Sequence, residues 1–282
     1  MKKSINTSVV LIMMFSLTIG QAQSWFGKKI VGNGNVTTKT VSTGDYDHIK
    51  SVGSVDIHLA KGTEGTIAVT TDDNLHAYLD IKVENTTLII KIKDNINLKT
   101  KKGFHINVPF EDLSKVTLTG SGDMDTKDPI TADEFKISLS GSGDVVLDVN
   151  ASKVKTEITG SGTISLSGSY GNLKLDLTGS GNFVGTGMSS QSTEVNIAGS
   201  GNAKLSGTTS KLEIEVIGSG SFKGLELNSK DTDVKISGSG QAKVVANENL
   251  KARVNGSGTI VYKGNPENVN NQTNGSGKIK RY

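Results

Sequence analysis

The chain has 282 residues, of which 34 are Gly, 3 are Pro and none is Cys. Hydrophobic residues make up 34%, a low share for a compact domain, and most of them are Val, Ile and Leu, which favours strands over helices. The absence of Cys excludes a disulfide framework and a lipid-modified Cys at a processed N-terminus. Residues 1–22 hold two of the 31 basic residues and none of the 28 acidic ones, so without them the net charge falls from +3 to +1. A charge so near zero argues against nucleic acid as a partner.

The N-terminus has the pattern of a secretory signal peptide. Lys2 and Lys3 precede an apolar stretch over residues 9–19, and Gly20-Gln21-Ala22 supplies small residues for cleavage before Gln23. An uncleaved membrane anchor is the alternative, but the apolar stretch is short for a span. We therefore expect residues 1–22 to be a signal peptide, 23–42 an N-terminal extension and 43–282 one domain. The exported protein is expected in the periplasm, on the cell surface or outside the cell, with no transmembrane segment.

Strand patterns begin well before the regular part of the chain. In HIKSVGSVDIHLAKG, Gly53-Ser54 matches the Gly-Ser-Gly motif that recurs from Gly120 onward, which places Ile49 and Ile57 in the core. TTLIIKIK and HINVPF are also typical of strands. The segment DDNLHAYL, residues 72–79, predicts one short helical turn that would cap the first rung, whose open edge would otherwise pair with another chain.

A Gly-Ser-Gly motif occurs nine times in the rest of the chain. Its first glycines are Gly120, Gly141, Gly160, Gly179, Gly199, Gly218, Gly238, Gly256 and Gly275. A period of about 19–20 residues that tolerates one-residue slips is typical of a solenoid whose turns differ in loop length.

The residues around each motif fall into columns. Two positions before the first glycine stand Leu118, Leu139, Ile158, Leu177, Ile197, Val216, Ile236 and Val254. Four positions after it stand Met124, Val145, Ile164, Phe183, Ala203, Phe222, Ala242, Ile260 and Ile279. These apolar columns alternate with polar ones, as half-buried strands require, and stacked strands would bury them together. The pattern predicts an all-β fold, a parallel β-helix with regular rungs from 116 to 282.

The motif itself suits a sharp corner between two strands. A Cβ at such a bend would clash with the neighbouring rung, and the backbone needs a positive φ, so glycine meets both demands. The intervening serines should face outward as a ladder of hydroxyls: Ser121, Ser142, Ser161, Ser180, Ser200, Ser219, Ser239, Ser257 and Ser276. This architectural role accounts for the repeat without any catalytic function.

One outward column carries a run of like charges. Five positions before the corners stand Lys115, Lys136, Lys155 and Lys174, then Glu194, Glu213 and Asp233, then Lys251. Glu157 and Asp176 lie on the same face and partly offset the lysines. The column is either a solvated face that keeps the sheet soluble or, over its four stacked lysines, a binding strip for an anionic polymer.

Residues that could support chemistry are few. Phosphate loops, nucleophile elbows and dinucleotide fingerprints are absent, and His48, His58, His76 and His105 are scattered, which is typical of surface histidines. Asp123 and Asp144 should stack on neighbouring rungs, where two close carboxylates could recruit a cation. No cofactor is expected.

The alternative to a binding protein is a polysaccharide lyase or glycoside hydrolase that acts on acidic glycans. The outward acids Asp123, Asp144, Glu157 and Asp176 are candidates for such an activity. Against it, the loops are only a few residues long and cannot build a cleft, and aromatic residues that stack on sugars are nearly absent from the repeats.

Three segments together carry a resemblance to a known family. They are SWFGKKIVGNGNVTTKTVSTGDYDHIKSVGSVDIHLAKG, then DDNLHAYLDIKVENTTLIIKIK, then the Gly-Ser-Gly run, and they resemble the secreted bacterial family called "putative auto-transporter adhesin, head GIN domain". The resemblance implies a right-handed β-helix, a cell-surface or extracellular role and no catalytic motif. We therefore predict a non-catalytic adhesion scaffold whose partners are surface glycans, extracellular matrix or components of the cell envelope.

Overall fold

A computed structural model describes residues 28–282; the predicted signal peptide lies outside this range. The described chain forms strands almost throughout, with one 3-10 turn at His76–Tyr78. The strands are β1 Lys28–Val31, β2 Val36–Ser42, β3 His48–Gly53, β4 Asp56–Lys61, β5 Thr66–Asp72, β6 Leu79–Glu84, β7 Thr87–Ile92, β8 Ile96–Lys99, β9 His105–Phe110, β10 Lys115–Gly120, β11 Met124–Thr126, β12 Ile130–Gly141, β13 Asp144–Gly160, β14 Thr163–Ser167, β15 Tyr170–Gly179, β16 Asn182–Gly199, β17 Asn202–Gly218, β18 Ser221–Gly238, β19 Gln241–Val245, β20 Asn249–Gly256, β21 Thr259–Lys263, β22 Asn268–Asn274 and β23 Lys278–Arg281.

These strands wind into a β-solenoid of about nine turns, which confirms the predicted fold class. Each turn pairs in parallel with the next, and the corner glycines lie opposite one another, as Gly120 does with Gly141 and Gly141 with Gly160. We call the sheet that ends at these corners the first face; it contains β3, β10, β20 and the last six residues of β12, β13 and β15 to β18. The second face follows each corner and contains β4, β11, β14, β19, β21, β23 and the first residues of β13 and β16 to β18.

The corner glycines have the geometry that the motif predicts. Gly179 has a φ of +112°, and a Cβ built on it would lie 2.6 Å from the carbonyl oxygen of Gly160. The following residue, Ser180, donates its backbone N–H to that same carbonyl oxygen at 2.8 Å. All nine serines of the motif are exposed, as predicted. The repeat is therefore a backbone device, because any side chain at the first position would push neighbouring rungs apart.

The two predicted apolar columns form the core. Every residue of the column before the corner is buried, from Leu118 to Val254, and so is the column after it from Met124 to Ile260. Ile279 is only partly buried, since its rung is the last. The alignment of Gly53 with the corners is also confirmed, because Gly53 pairs with Gly120 and Ile57 with Met124.

Side-chain size alternates along the second column. Phe183 and Phe222 are each followed two residues later by a glycine, whereas Ala203 is followed by Leu205. A Cβ on Gly224 would lie 2.5 Å from Cε1 of Phe222, so the ring occupies the space that a side chain there would need. In the rungs that contain Phe183, Ala203, Phe222 and Ala242, one large residue thus fills the interior, placed before or after a glycine or alanine.

The N-terminal end explains why the repeat is irregular before Gly120. After the first rung, β3 and β4, the chain leaves the stack and forms β5 to β9, and it returns only at β10. β7 pairs in parallel with β3, and β9 pairs in parallel with β4, on the edges that face away from the later rungs. Antiparallel pairs join β2 to β5, β5 to β9 and β6 to β7. These strands cover the end of the solenoid. The predicted capping helix is reduced to the 3-10 turn, so strands take over its role.

Residues 28–42 are integrated into this end of the fold. β1 pairs with β8, and β2 pairs with β5. The link between them wraps around the buried carboxylate of Asp72, which accepts hydrogen bonds from the hydroxyl of Thr100 (2.8 Å) and the backbone N–H groups of Gly34 (2.5 Å) and Lys101 (3.2 Å). Gly32 leaves room for this carboxylate, because its Cβ would fall on the Asp72 side chain.

Candidate functional site

The predicted column of lysines is stacked in register on the first face. Lys115 pairs with Lys136, Lys136 with Lys155, and Lys155 with Lys174, and the column continues through Glu194. We call the four lysines the 115–174 ladder. The register thus brings together the four lysines that the spacing predicts.

Acidic neighbours neutralise most of this ladder. Nζ of Lys136 lies 2.6 Å from Glu157, that of Lys155 2.7 Å from Glu134, and that of Lys174 2.7 Å from Glu194. The hydrogen bond from Lys136 is the main cause that holds the pKa of Glu157 below its ordinary value, and the bond from Lys174 does the same for Glu194. The bond to Glu194 also raises the pKa of Lys174. Three of the four lysines therefore have a carboxylate as their partner and offer little net charge to a polyanion.

Asp123 and Asp144 lie in one column with Asp56, beside the corners. The Asp123 carboxylate accepts the backbone N–H of Asp144 at 2.9 Å, and the Asp144 carboxylate accepts that of Thr163 at 3.2 Å. Asp56 does the same for Asp123 at 3.1 Å. Each aspartate therefore links its rung to the next one, which is a structural use for these residues. Among residues 28–282, no group of three or more His, Cys, Asp or Glu side chains has the arrangement of a metal site.

Two histidines that look scattered in the sequence meet on the second face. Nδ1 of His58 lies 2.7 Å from Oδ2 of Asp125, and Nε2 of His58 lies 3.3 Å from Nδ1 of His105. His105 in turn bonds the carbonyl oxygen of Lys102 through Nε2, at 3.0 Å. Both side chains are partly exposed, as expected for surface histidines, but they form a pair that the sequence does not predict. No local spacing could show it, since β4 and β9 become neighbours only when the chain returns beneath the first rung.

Surface depressions are shallow. A groove of about 830 Å³ crosses the first face near its C-terminal end, where Glu213, Asp231 and Asp233 lie among lysines. These acids are partly paired, Glu213 with Lys211 at 2.5 Å and Asp233 with Lys251 at 3.5 Å. The acids named as enzyme candidates are spread over both faces, with Asp123 and Asp144 on one side of the corner and Glu157 and Asp176 on the other. They do not face one another across a cleft.

The structure shows a second column of lysines, which the sequence patterns above do not include. Lys204, Lys223 and Lys243 lie five positions after successive corners, on the second face, and pair directly with one another. These lysines recur with the same period as the lysines of the 115–174 ladder. Their column is short, however, because it begins only after the fifth Gly-Ser-Gly corner and Val261 interrupts it. Counting columns on both sides of the corner would have found it.

The helical content of the described chain, a single 3-10 turn, includes no segment that could span a membrane. No curated protein matches the sequence.

Three solved structures are similar over nearly the whole chain. A putative lipid binding protein from Parabacteroides distasonis is 30% identical, with a TM-score of 0.68, and the match covers 90% of this chain and 100% of that one. A putative adhesin from the same species is 25% identical, with a TM-score of 0.71 and coverage of 90% and 100%. A putative adhesin from Parabacteroides merdae, at 22% identity, a TM-score of 0.70 and coverage of 91% and 100%, shows the same fold.

The family model described as "Putative auto-transporter adhesin, head GIN domain" matches residues 45–205 and again 170–266. The two matches overlap within the regular rungs, as expected when one repeat unit resembles the next. Together they span the first rung, the strands β5 to β9 of the N-terminal cap and nearly all of the solenoid. The chain belongs to this family of adhesin-like β-solenoid proteins.

Proposed function

We propose that the protein is an exported, non-catalytic scaffold for adhesion at the cell surface or outside the cell. One observation supports the proposal most: outward columns on both faces stay in register over consecutive rungs, with backbone hydrogen bonds fixing each rung to the next. A surface of this kind repeats the same contact at about 4.8 Å intervals, which suits a long repeating partner better than a small molecule. Such partners are surface glycans, extracellular matrix and cell-envelope polymers.

The family supports the same proposal through its name, and two of the similar structures are described as putative adhesins. The shallow grooves and paired acids of the described residues favour binding over catalysis. A polysaccharide lyase or glycoside hydrolase that acts on acidic glycans is the alternative, and the candidate acids for it are Asp123, Asp144, Glu157 and Asp176.

The experiment is a binding array with the mature protein. Neutral glycans, acidic glycans and matrix proteins are immobilised side by side, and binding of the labelled protein is measured at physiological salt. We expect retention on repeating polymers and none on the corresponding monosaccharides, because a single rung offers too few contacts. Equal binding of polymer and monosaccharide, or no binding at all, would contradict the proposed role.

A further inference from the structure

Three lysines of the second face form a basic strip with only one weak acidic contact among the described residues. Lys204 pairs with Lys223 and Lys223 with Lys243, so three ammonium groups recur on consecutive rungs. We call these three residues the 204–243 strip. Like charges directly opposite each other on neighbouring strands are destabilising, so the arrangement works against the stability of the free protein.

The contrast with the 115–174 ladder lies in the ion pairs. Within residues 28–282, the only carboxylate within 4.0 Å of any Nζ atom of the strip is that of Glu226, which lies at that limit from Lys204. Both side chains of this pair are more than half exposed, so the contact is weak. In the 115–174 ladder, by comparison, three lysines have a carboxylate within 2.7 Å. The second face therefore offers unneutralised positive charge where the first face does not.

The column beside the strip determines which polyanion fits. This column lies three positions after each corner, on the three rungs of the strip and on the next rung. Its side chains carry amides and hydroxyls: Asn202, Ser221, Gln241 and Thr259. A shallow depression of about 200 Å³ is lined by the three lysines together with Leu205, Leu225 and Glu226. Single-stranded nucleic acids are bound largely through aromatic side chains on which their bases stack, and neither column contains one. Ammonium groups next to amides and hydroxyls suit a polymer that carries both anionic and hydroxyl groups.

We propose that the 204–243 strip binds an extended anionic polysaccharide, which lies along the solenoid axis and contacts one lysine on each rung. This inference rests on the proposed scaffold function and specifies its ligand and surface. Lys280 extends the strip by one contact beyond Val261, and Lys278 adds charge beside it on the last rung. On the other side, Val184 occupies the strip position of the preceding rung and ends it. The footprint is thus the C-terminal half of the second face.

The test compares two triple variants that change the net charge equally. Heparin is the probe, and its affinity is measured by titration at several salt concentrations. Lys204→Gln, Lys223→Gln and Lys243→Gln together should weaken heparin binding about tenfold or more and flatten its salt dependence, because three screened contacts are lost. The matched control, Lys136→Gln, Lys155→Gln and Lys174→Gln, should change the affinity less than twofold. A strip variant that binds like the parent, or equal losses in both variants, would overturn the assignment.

Two further arms separate the possible failures. Double-stranded DNA serves as a second polyanion, and binding as tight as that of heparin would assign the strip to nucleic acid instead. Acetylation of lysines on the unchanged protein, followed by mass spectrometry, avoids any folding defect of the variants. Heparin should protect Lys223 and Lys243 but not Lys136 and Lys155, and the reverse pattern would contradict the proposal. If the parent retains heparin but this footprint fails, the strip is wrong while the scaffold function stands.

Discussion

At the residue scale, Asp72 is the buried charge on which the N-terminal cap depends. Burial by itself would raise the pKa of its carboxyl group, but hydrogen bonds from Thr100, Lys101 and Gly34, together with the charge of Lys101, lower the pKa below its ordinary value. A carboxyl whose pKa is lowered on folding stabilises the protein above its unfolded pKa of about 3.9 and loses that contribution as the pH falls through the folded value.

We therefore predict that Asp72→Asn lowers the melting temperature most above about pH 5 and progressively less as the pH falls toward 2. The amide side chain of this variant would turn its NH₂ group toward backbone N–H donors, so the variant loses part of the hydrogen bonding at neutral pH. The amide does not titrate, so the variant loses no more of this bonding in acid, whereas the parent does. Melting temperatures are measured from pH 7 to 2, with Asp45→Asn, at an exposed carboxylate, as the control. A constant difference between Asp72→Asn and the parent over this range would show that the ionised carboxylate contributes nothing.

The corner residues were predictable one by one, whereas the Asp72 site was not. Gly-Ser-Gly recurring between apolar strand patterns at a regular period predicts a tight bend, and only glycine allows the close approach seen at Gly179. Asp72 reads in the sequence as part of a helix start, and nothing local indicates that the chain around Gly32 and Gly34 wraps over it. The interaction of His58 with His105 has the same origin, because both depend on how a long excursion of the chain returns to the first rung.

At the scale of the element, each rung depends on volume shared between two interior positions. Phe222→Ala alone should cost about 3–5 kcal/mol through the cavity that it leaves. Gly224→Leu alone should also destabilise, since its Cβ would press on the Phe222 ring. The double variant recreates the Ala203 and Leu205 pair of the preceding rung, so we predict that it is more stable than the sum of the single effects by about 1–3 kcal/mol.

Urea denaturation measures this coupling. The control cycle combines Gly224→Leu with Phe183→Ala, whose ring lies two rungs away, and these two changes should add independently. Coupling of the same size in both cycles would contradict the structure, in which positions 222 and 224 compete for the same interior space. The alternation of Phe and Ala is visible in the sequence, but its link to the glycine two residues later becomes clear only when both side chains point into one interior.

At the scale of the whole molecule, the period of the corners predicted the solenoid, because identical bends at 18 to 21 residue steps can only stack. The charges on the surface were less predictable. The position of Lys155 in its column follows from the period, but its partner Glu134 lies in the preceding strand segment and is found only through the side-chain geometry. The same limit hid the difference between the paired ladder of the first face and the 204–243 strip.

The central claim is that this surface binds a polymer without transforming it. The most direct measurement incubates the protein with heparin, pectin and alginate, with and without Ca²⁺, and records both the bound fraction and the chain length of the recovered polymer. The proposed function predicts that an acidic polymer is retained with its length unchanged, without unsaturated products or new reducing ends. Shortened chains, in amounts that Asp123→Ala or Asp144→Ala abolish, would contradict it and identify the protein as a polysaccharide lyase or glycoside hydrolase.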